Sequence, residues 1–153
     1  MLNNKLSLQG RALRLLSQRE HSRQELERKL AQHLQDGDDL AELLDRLEAR
    51  GLISAARTAQ SIMNQRGRKL GTARVVQELR SKGLDDATVH EATLQLRTTE
   101  HSRAWSVWQQ KFGSVPTTPT ERLRQMRFLA NRGFCSDVVT RVVRGQPPLE
   151  TPQ

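Results

Sequence analysis

Residues 22–50 read SRQELERKLAQHLQDGDDLAELLDRLEAR, and this stretch decides the fold. Leu26, Leu30 and Leu34 step by four, while Leu40, Leu43, Leu44 and Leu47 follow the i, i+3, i+4, i+7 spacing of one buried helical stripe. Ser22 and Glu25 form a capping box: the hydroxyl accepts from the Glu25 amide, and the carboxylate reaches back to the Ser22 amide. Asp38, after Gly37, is placed to cap the next helix. Two short amphipathic helices on a polar turn have little interior of their own, so such units must cover one another's apolar faces.

The same grammar repeats outward. Val75, Val76 and Leu79 form a second stripe, and Leu123, Met126 and Ala130 a third. Val138, Val139, Val142 and Val143 are β-branched, yet Ser136-Asp137 before them supplies a helix start, so they read as a short helix. No stretch sustains period-two alternation or carries an Asn-Gly hairpin turn. The spacing predicts nine helices, over 8–18, 23–35, 39–50, 55–67, 72–82, 86–97, 100–112, 120–131 and 137–144, with Thr72 as an N-cap. The fold class is all-α: three tandem three-helix repeats, over 8–53, 54–98 and 99–145, forming an elongated, curved molecule. Residues 146–153, with Pro147, Pro148 and Pro152, read as a disordered tail.

Composition agrees with thin cores. Hydrophobic residues are 35% of 153, and the aromatics are confined to Trp105, Trp108, Phe112, Phe128 and Phe134. No apolar run reaches the length of a bilayer span, and nothing near Met1 resembles a signal peptide. The lone Cys135 excludes an internal disulfide and fits a reducing compartment, so a cytoplasmic protein without membrane association is expected.

The net charge of +8 is unevenly placed. Residues 1–54 carry nine basic and nine acidic side chains, whereas 55–97 and 98–153 each carry eight against four. Between Arg57 and Lys82 seven basic residues face one acid, Glu78. A field of one sign over the last two-thirds of the chain points to a polyanionic partner. The candidate strip comprises Arg66, Arg68, Lys69, Arg74, Arg80, Lys82, Arg124, Arg127 and Arg132. Arg66, Arg68 and Lys69 are read in the linker before Thr72, where no helix dipole requires them.

No catalytic or metal site assembles. His21, His33, His90 and His101 fall on different helices without ligand spacing, and Arg66–Gly71 lacks the spacing and the Lys-Ser/Thr ending of a phosphate-binding loop. Cys135 reads as a half-buried structural thiol, with Asp137 raising its pKa. Trp105, Trp108 and Phe112 fall at i, i+3, i+7, the spacing of core packing more than of base stacking. The reading is a non-enzymatic protein without cofactor or metal.

Ala12–Leu26 (ALRLLSQREHSRQEL), Arg66–Arg74 (RGRKLGTAR) followed by Glu78–Leu84 (ELRSKGL), and Arg127–Phe134 (RFLANRGF) before Ser136-Asp137-Val138 resemble, in order, the three repeat motifs of the RecX regulatory family. The resemblance covers about residues 8–144. It implies tandem three-helix modules and a cytoplasmic modulator of the RecA recombinase; the chain itself is expected to be a monomer. Such a modulator acts on the RecA filament and the single-stranded DNA within it, suppressing strand exchange and ATP hydrolysis, with weak direct DNA binding of its own. The charge-neutral first module would then make protein contacts. The alternative is a helix-turn-helix protein on duplex DNA, against which Asp85, Asp86 and Glu91 crowd the start of the expected recognition helix.

Overall fold

The computed structural model describes residues 6–149, and every regular element in that range is helical. The helices are α1 (Leu8–Gln18), α2 (Arg23–Ala31), α3 (Leu40–Ala49), α4 (Ala55–Arg66), α5 (Thr72–Ser81), α6 (Asp86–Lys111), α7 (Pro119–Asn131) and α8 (Ser136–Val143). Three separate apolar clusters hold them. Leu26, Leu30, Leu43, Leu44 and Leu47 centre the first. Val75, Leu79, Val89 and Leu96 centre the second, and Trp108, Leu129, Phe134, Val139 and Val142 the third. Burying a side chain of this size contributes about 1.5–3 kcal/mol, so each cluster is a modest core.

Helix starts follow side-chain chemistry. Ser7, Ser22, Asp39, Ser54, Asp85 and Thr118 each cap a helix with a side-chain oxygen. The Ser22–Glu25 box forms in full. Asp39, rather than Asp38, caps α3; Asp38 instead accepts from the Gln35 amide at 2.8 Å within the turn.

Eight helices stand where nine are expected, because α6 runs unbroken for 26 residues, about 39 Å, through residues 97–100. The Glu100-His101-Ser102 triplet resembles Glu20-His21-Ser22, but three residues beyond Ser102 stands Trp105, not a glutamate, so no capping box can form. The hydroxyls of Thr98 and Thr99 donate to the carbonyls of Gln95 and Leu96, at 2.7 and 3.3 Å, and so remain compatible with the helix. The first half of α6 feeds the second core and its second half the third. The last two units are thus joined by continuous helix, and the boundary expected at 98–99 lies inside it. At the C-terminus the Gln146 amide donates to the Arg141 carbonyl and its own carbonyl faces His101 Nε2 at 3.0 Å, so the described start of the expected tail is tied down. Residues 150–153 lie outside the described residues.

The first unit meets the second through polar contacts. Ser22 Oγ donates to the Lys82 carbonyl at 2.6 Å, Thr58 Oγ1 to the His21 carbonyl at 3.3 Å, and Arg57 pairs with Glu20 at 2.9 Å. Glu25 is buried between Arg19, at 2.7 Å, and Lys82, at 3.4 Å. Burial alone would raise its carboxyl. The Arg19 guanidinium, the Ser22 amide and the Lys82 charge outweigh that and hold it down to about 2. His21, 1% exposed, faces the Arg19 carbonyl through Nδ1 and the Lys29 ammonium through Nε2, an arrangement that suits a neutral ring protonated at Nδ1. Burial lowers its pKa; the Arg19 carbonyl opposes this, and the charges of Arg19 and Lys29 reinforce it.

Both groups bind protons less readily folded than unfolded, so the stability they confer is present at neutral pH and lost as pH falls. The loss begins as pH drops below 6.5, where unfolded His21 protonates, and deepens below 4.5, as Glu25 approaches its folded value of about 2. The urea midpoint should therefore fall between about pH 7.5 and about pH 5, and a His21→Asn variant should flatten that slope. An unchanged slope in the variant would assign the titration to another group.

Candidate nucleic-acid interface

The seam between the second and third units is built from backbone. The Gly71 amide donates to the Arg132 carbonyl at 2.7 Å, and the Ala73 amide to that of Gly133 at 3.3 Å. Such closeness requires glycine on both sides. A Cβ on Gly71 would lie 2.2 Å from the Gly133 carbonyl carbon. Gly133 has φ +93°, and a Cβ there would meet Arg74 Cγ at 2.3 Å.

Helix α5 borrows its cap across this seam. Its N-cap position is Gly71, which has no side chain to offer, and the expected cap residue Thr72 is the first helical residue instead. The Thr72 amide donates to the buried carboxylate of Glu100 on α6, at 3.0 Å, which also places negative charge at the positive end of the helix. One turn along α6, Arg103 satisfies the carbonyls of Gly67 at 3.1 Å, of Leu70, and of Leu96 at 3.0 Å, and reaches Thr72 Oγ1 at 3.2 Å. Burial pushes the Arg103 pKa down and the charge of Glu100 pushes it back up. Glu100 and Arg103 together fix the loop 67–72. Sequence reasoning missed both, because their partners are backbone atoms about thirty residues away; the one visible signal was a charged pair among the apolar residues of an unbroken helix.

That fixed loop gathers cations. Arg66, Lys69, Arg74 and Arg132 line one groove of about 490 Å³, with Gln65 and Leu70. Arg74 is held there by donating to the Asn131 carbonyl at 2.8 Å. Arg132 lies over the Phe128 ring, 4.8 Å from its centroid, and approaches the Lys69 carbonyl at 3.5 Å. Arg66 is partly offset by Glu78, 3.1 Å away. Three guanidinium groups and an ammonium converging without an acid in the same lining suit phosphate oxygens, which planar arginine forks bind in pairs.

The remaining expected strip residues are placed elsewhere. Arg68 is exposed on the same loop but does not line the groove. Arg80 pairs with Asp86 at 3.4 Å, and Lys82 belongs to the first seam with Glu25. Arg124 and Arg127 are exposed on α7, outside the groove lining. The single strip therefore resolves into one four-cation groove with separate outliers.

The other candidates have structural surroundings. Trp108 is buried and donates through Nε1 to Gln125 at 2.8 Å; Trp105 and Phe112 pack on the same core. Cys135 is exposed rather than half-buried. Its thiol is pushed up by desolvation and by the neighbouring Glu100 and Asp137 charges, the direction expected from Asp137. Among the described residues, no group of three or more His, Cys, Asp or Glu could hold a metal ion, and no helix is long and apolar enough to cross a membrane.

Comparison with known proteins matches this architecture. Residues 10–47 match the model of the first three-helix domain of RecX, and residues 99–143 that of the third. The chain is 49% identical over 139 residues to the regulatory protein RecX of Leptothrix cholodnii, covering 91% of this chain and 88% of that one. It is 44% identical to the regulatory protein RecX of Ralstonia nicotianae, covering 94% and 91%. The crystal structure of RecX from Lactobacillus salivarius superposes with a TM-score of 0.76 at 19% identity, over 91% of this chain and 94% of that one, a likeness of fold.

Removing the Arg103 fork should loosen the seam. Arg103→Ala should cost about 3 kcal/mol in denaturant unfolding, roughly two charge-assisted hydrogen bonds, and should speed amide exchange across 67–73. Arg103→Lys should recover only part, since one ammonium cannot serve carbonyls on two sides.

Proposed function

Because the chain belongs to the RecX family of regulatory proteins, we propose that it regulates homologous recombination by docking on the RecA–single-stranded DNA filament and suppressing strand exchange and ATP hydrolysis. The observation that carries this reading is the convergence of Arg66, Lys69, Arg74 and Arg132 on one groove at the seam of the second and third units. The groove holds the DNA phosphates of the filament, and the flanking Arg68 adds to the same field. Linked units span neighbouring filament subunits, so each contact raises the effective concentration of the next. A body lying across subunits in this way excludes the incoming strand and restrains the subunit motion that ATP turnover needs. The protein works as a cytoplasmic monomer without a cofactor.

The duplex-operator alternative is the weaker reading. A recognition helix would have to start at Asp85 and Asp86, and Asp86 projects fully into solvent, where it would meet phosphate.

The test is charge reversal in the groove and at the flanking Arg68. The combined Arg68→Glu, Lys69→Glu, Arg74→Glu variant should keep its helicity by circular dichroism and need at least about tenfold more protein to inhibit RecA strand exchange and ATPase activity. Arg80→Glu should inhibit like the wild type. Unchanged inhibition by the triple variant would move docking to another surface.

A further inference from the structure

The first unit is neutral in sum but not in arrangement. Between α1 and the end of α2 lies a groove of about 440 Å³, lined by Arg11, Arg14, Lys29 and His33 over a floor of Leu15 and Leu30. Leu6, 42% exposed, stands at its edge. No carboxylate lines it. Arg11, Arg14 and His33 form no ion pair among the described residues, and Lys29 contacts only the His21 ring, at 3.2 Å, and no acid. The nine acids that neutralise this unit lie outside the groove lining.

We infer that this groove binds an acidic, leucine-bearing segment of a protein partner. Cations around an apolar floor complement a peptide that carries carboxylates on one face and aliphatic anchors on the other, the helix-in-groove mode of recognition. The same features disfavour a nucleic acid. The unit has no aromatic residue for bases to stack on, since the first in the chain is Trp105, and an exposed leucine at the edge offers a phosphate nothing. The site is separate from the seam groove, shares no lining residue with it, and gives the first unit a binding chemistry of its own.

The experiment uses the full chain and a fluorescein-labelled peptide with glutamates on one helical face and leucines at i, i+3, i+4 and i+7, read by anisotropy. A matched peptide with serine for leucine and an oligothymidylate serve as comparisons. Binding of the leucine peptide should weaken at least about tenfold in the Arg11→Glu, Arg14→Glu variant, and the serine peptide should bind the wild type at least about tenfold less tightly. Arg74→Glu, in the seam, should leave peptide binding unchanged, so failure here is distinguishable from failure of the filament reading. Equal peptide binding by the variant would overturn the inference. So would tight binding of the serine peptide, or displacement of the leucine peptide by oligothymidylate. Both arginines lie outside the buried core, so matching far-UV spectra establish that the variant is folded.

Discussion

Arg103 and Glu100, one turn apart on α6, hold the loop that carries the basic groove. A loop with two glycines and two cations, packed on the second core only through Leu70, would otherwise have little reason to keep one shape. The carboxylate caps α5, the guanidinium occupies the carbonyls of Gly67, Leu70 and Leu96, and the facing Gly71 and Gly133 let the two backbones touch. Because α6 is continuous, the pair is anchored in the helix that feeds both adjacent cores. Removing either partner would strand a buried polar group, so the clasp works as a unit.

The two seams differ in kind. Between the second and third units, continuous helix and backbone pairing join the parts. Between the first and second, side chains do the work: Ser22 on the Lys82 carbonyl, Arg57 on Glu20, and a buried carboxylate shared by Arg19 and Lys82. Contacts of this second kind respond to pH, through Glu25 and the neighbouring His21. The second and third units are thus joined by continuous helix and backbone bonds, and the first is attached to them by polar side-chain contacts.

Much of this was legible in the residues. Leu26 and Leu30, the stripe at 40–47, the Ser22–Glu25 box and the valine helix at 138–143 stand where spacing puts them, because local periodicity and capping act over one or two turns; Leu34 does not, since α2 ends at Ala31 and leaves it 44% exposed. The break expected near residue 98 is absent: α6 runs through it, and the Glu100-His101-Ser102 triplet there has Trp105 where a capping partner would stand. Of the nine expected basic residues, four meet in one groove. Which four depended on backbone-to-backbone contacts between residues about sixty positions apart, and glycine approaches of that sort leave no periodic trace. Lys82 was misplaced for the same reason: its acidic partner, Glu25, lies in another unit. The aromatic triplet at the end of α6 and its C-cap was legible as packing, since helical spacing alone points Trp108 inward.

The central claim is that the seam between the second and third units faces the nucleoprotein filament. Amide exchange of the protein alone and bound to RecA assembled on single-stranded DNA addresses it most directly. The account predicts added protection over 66–74 and 131–134, where Arg66, Lys69, Arg74 and Arg132 converge, with little change at the acidic turn 36–39. Unaltered exchange over 66–74 and 131–134 in a saturated complex would contradict it.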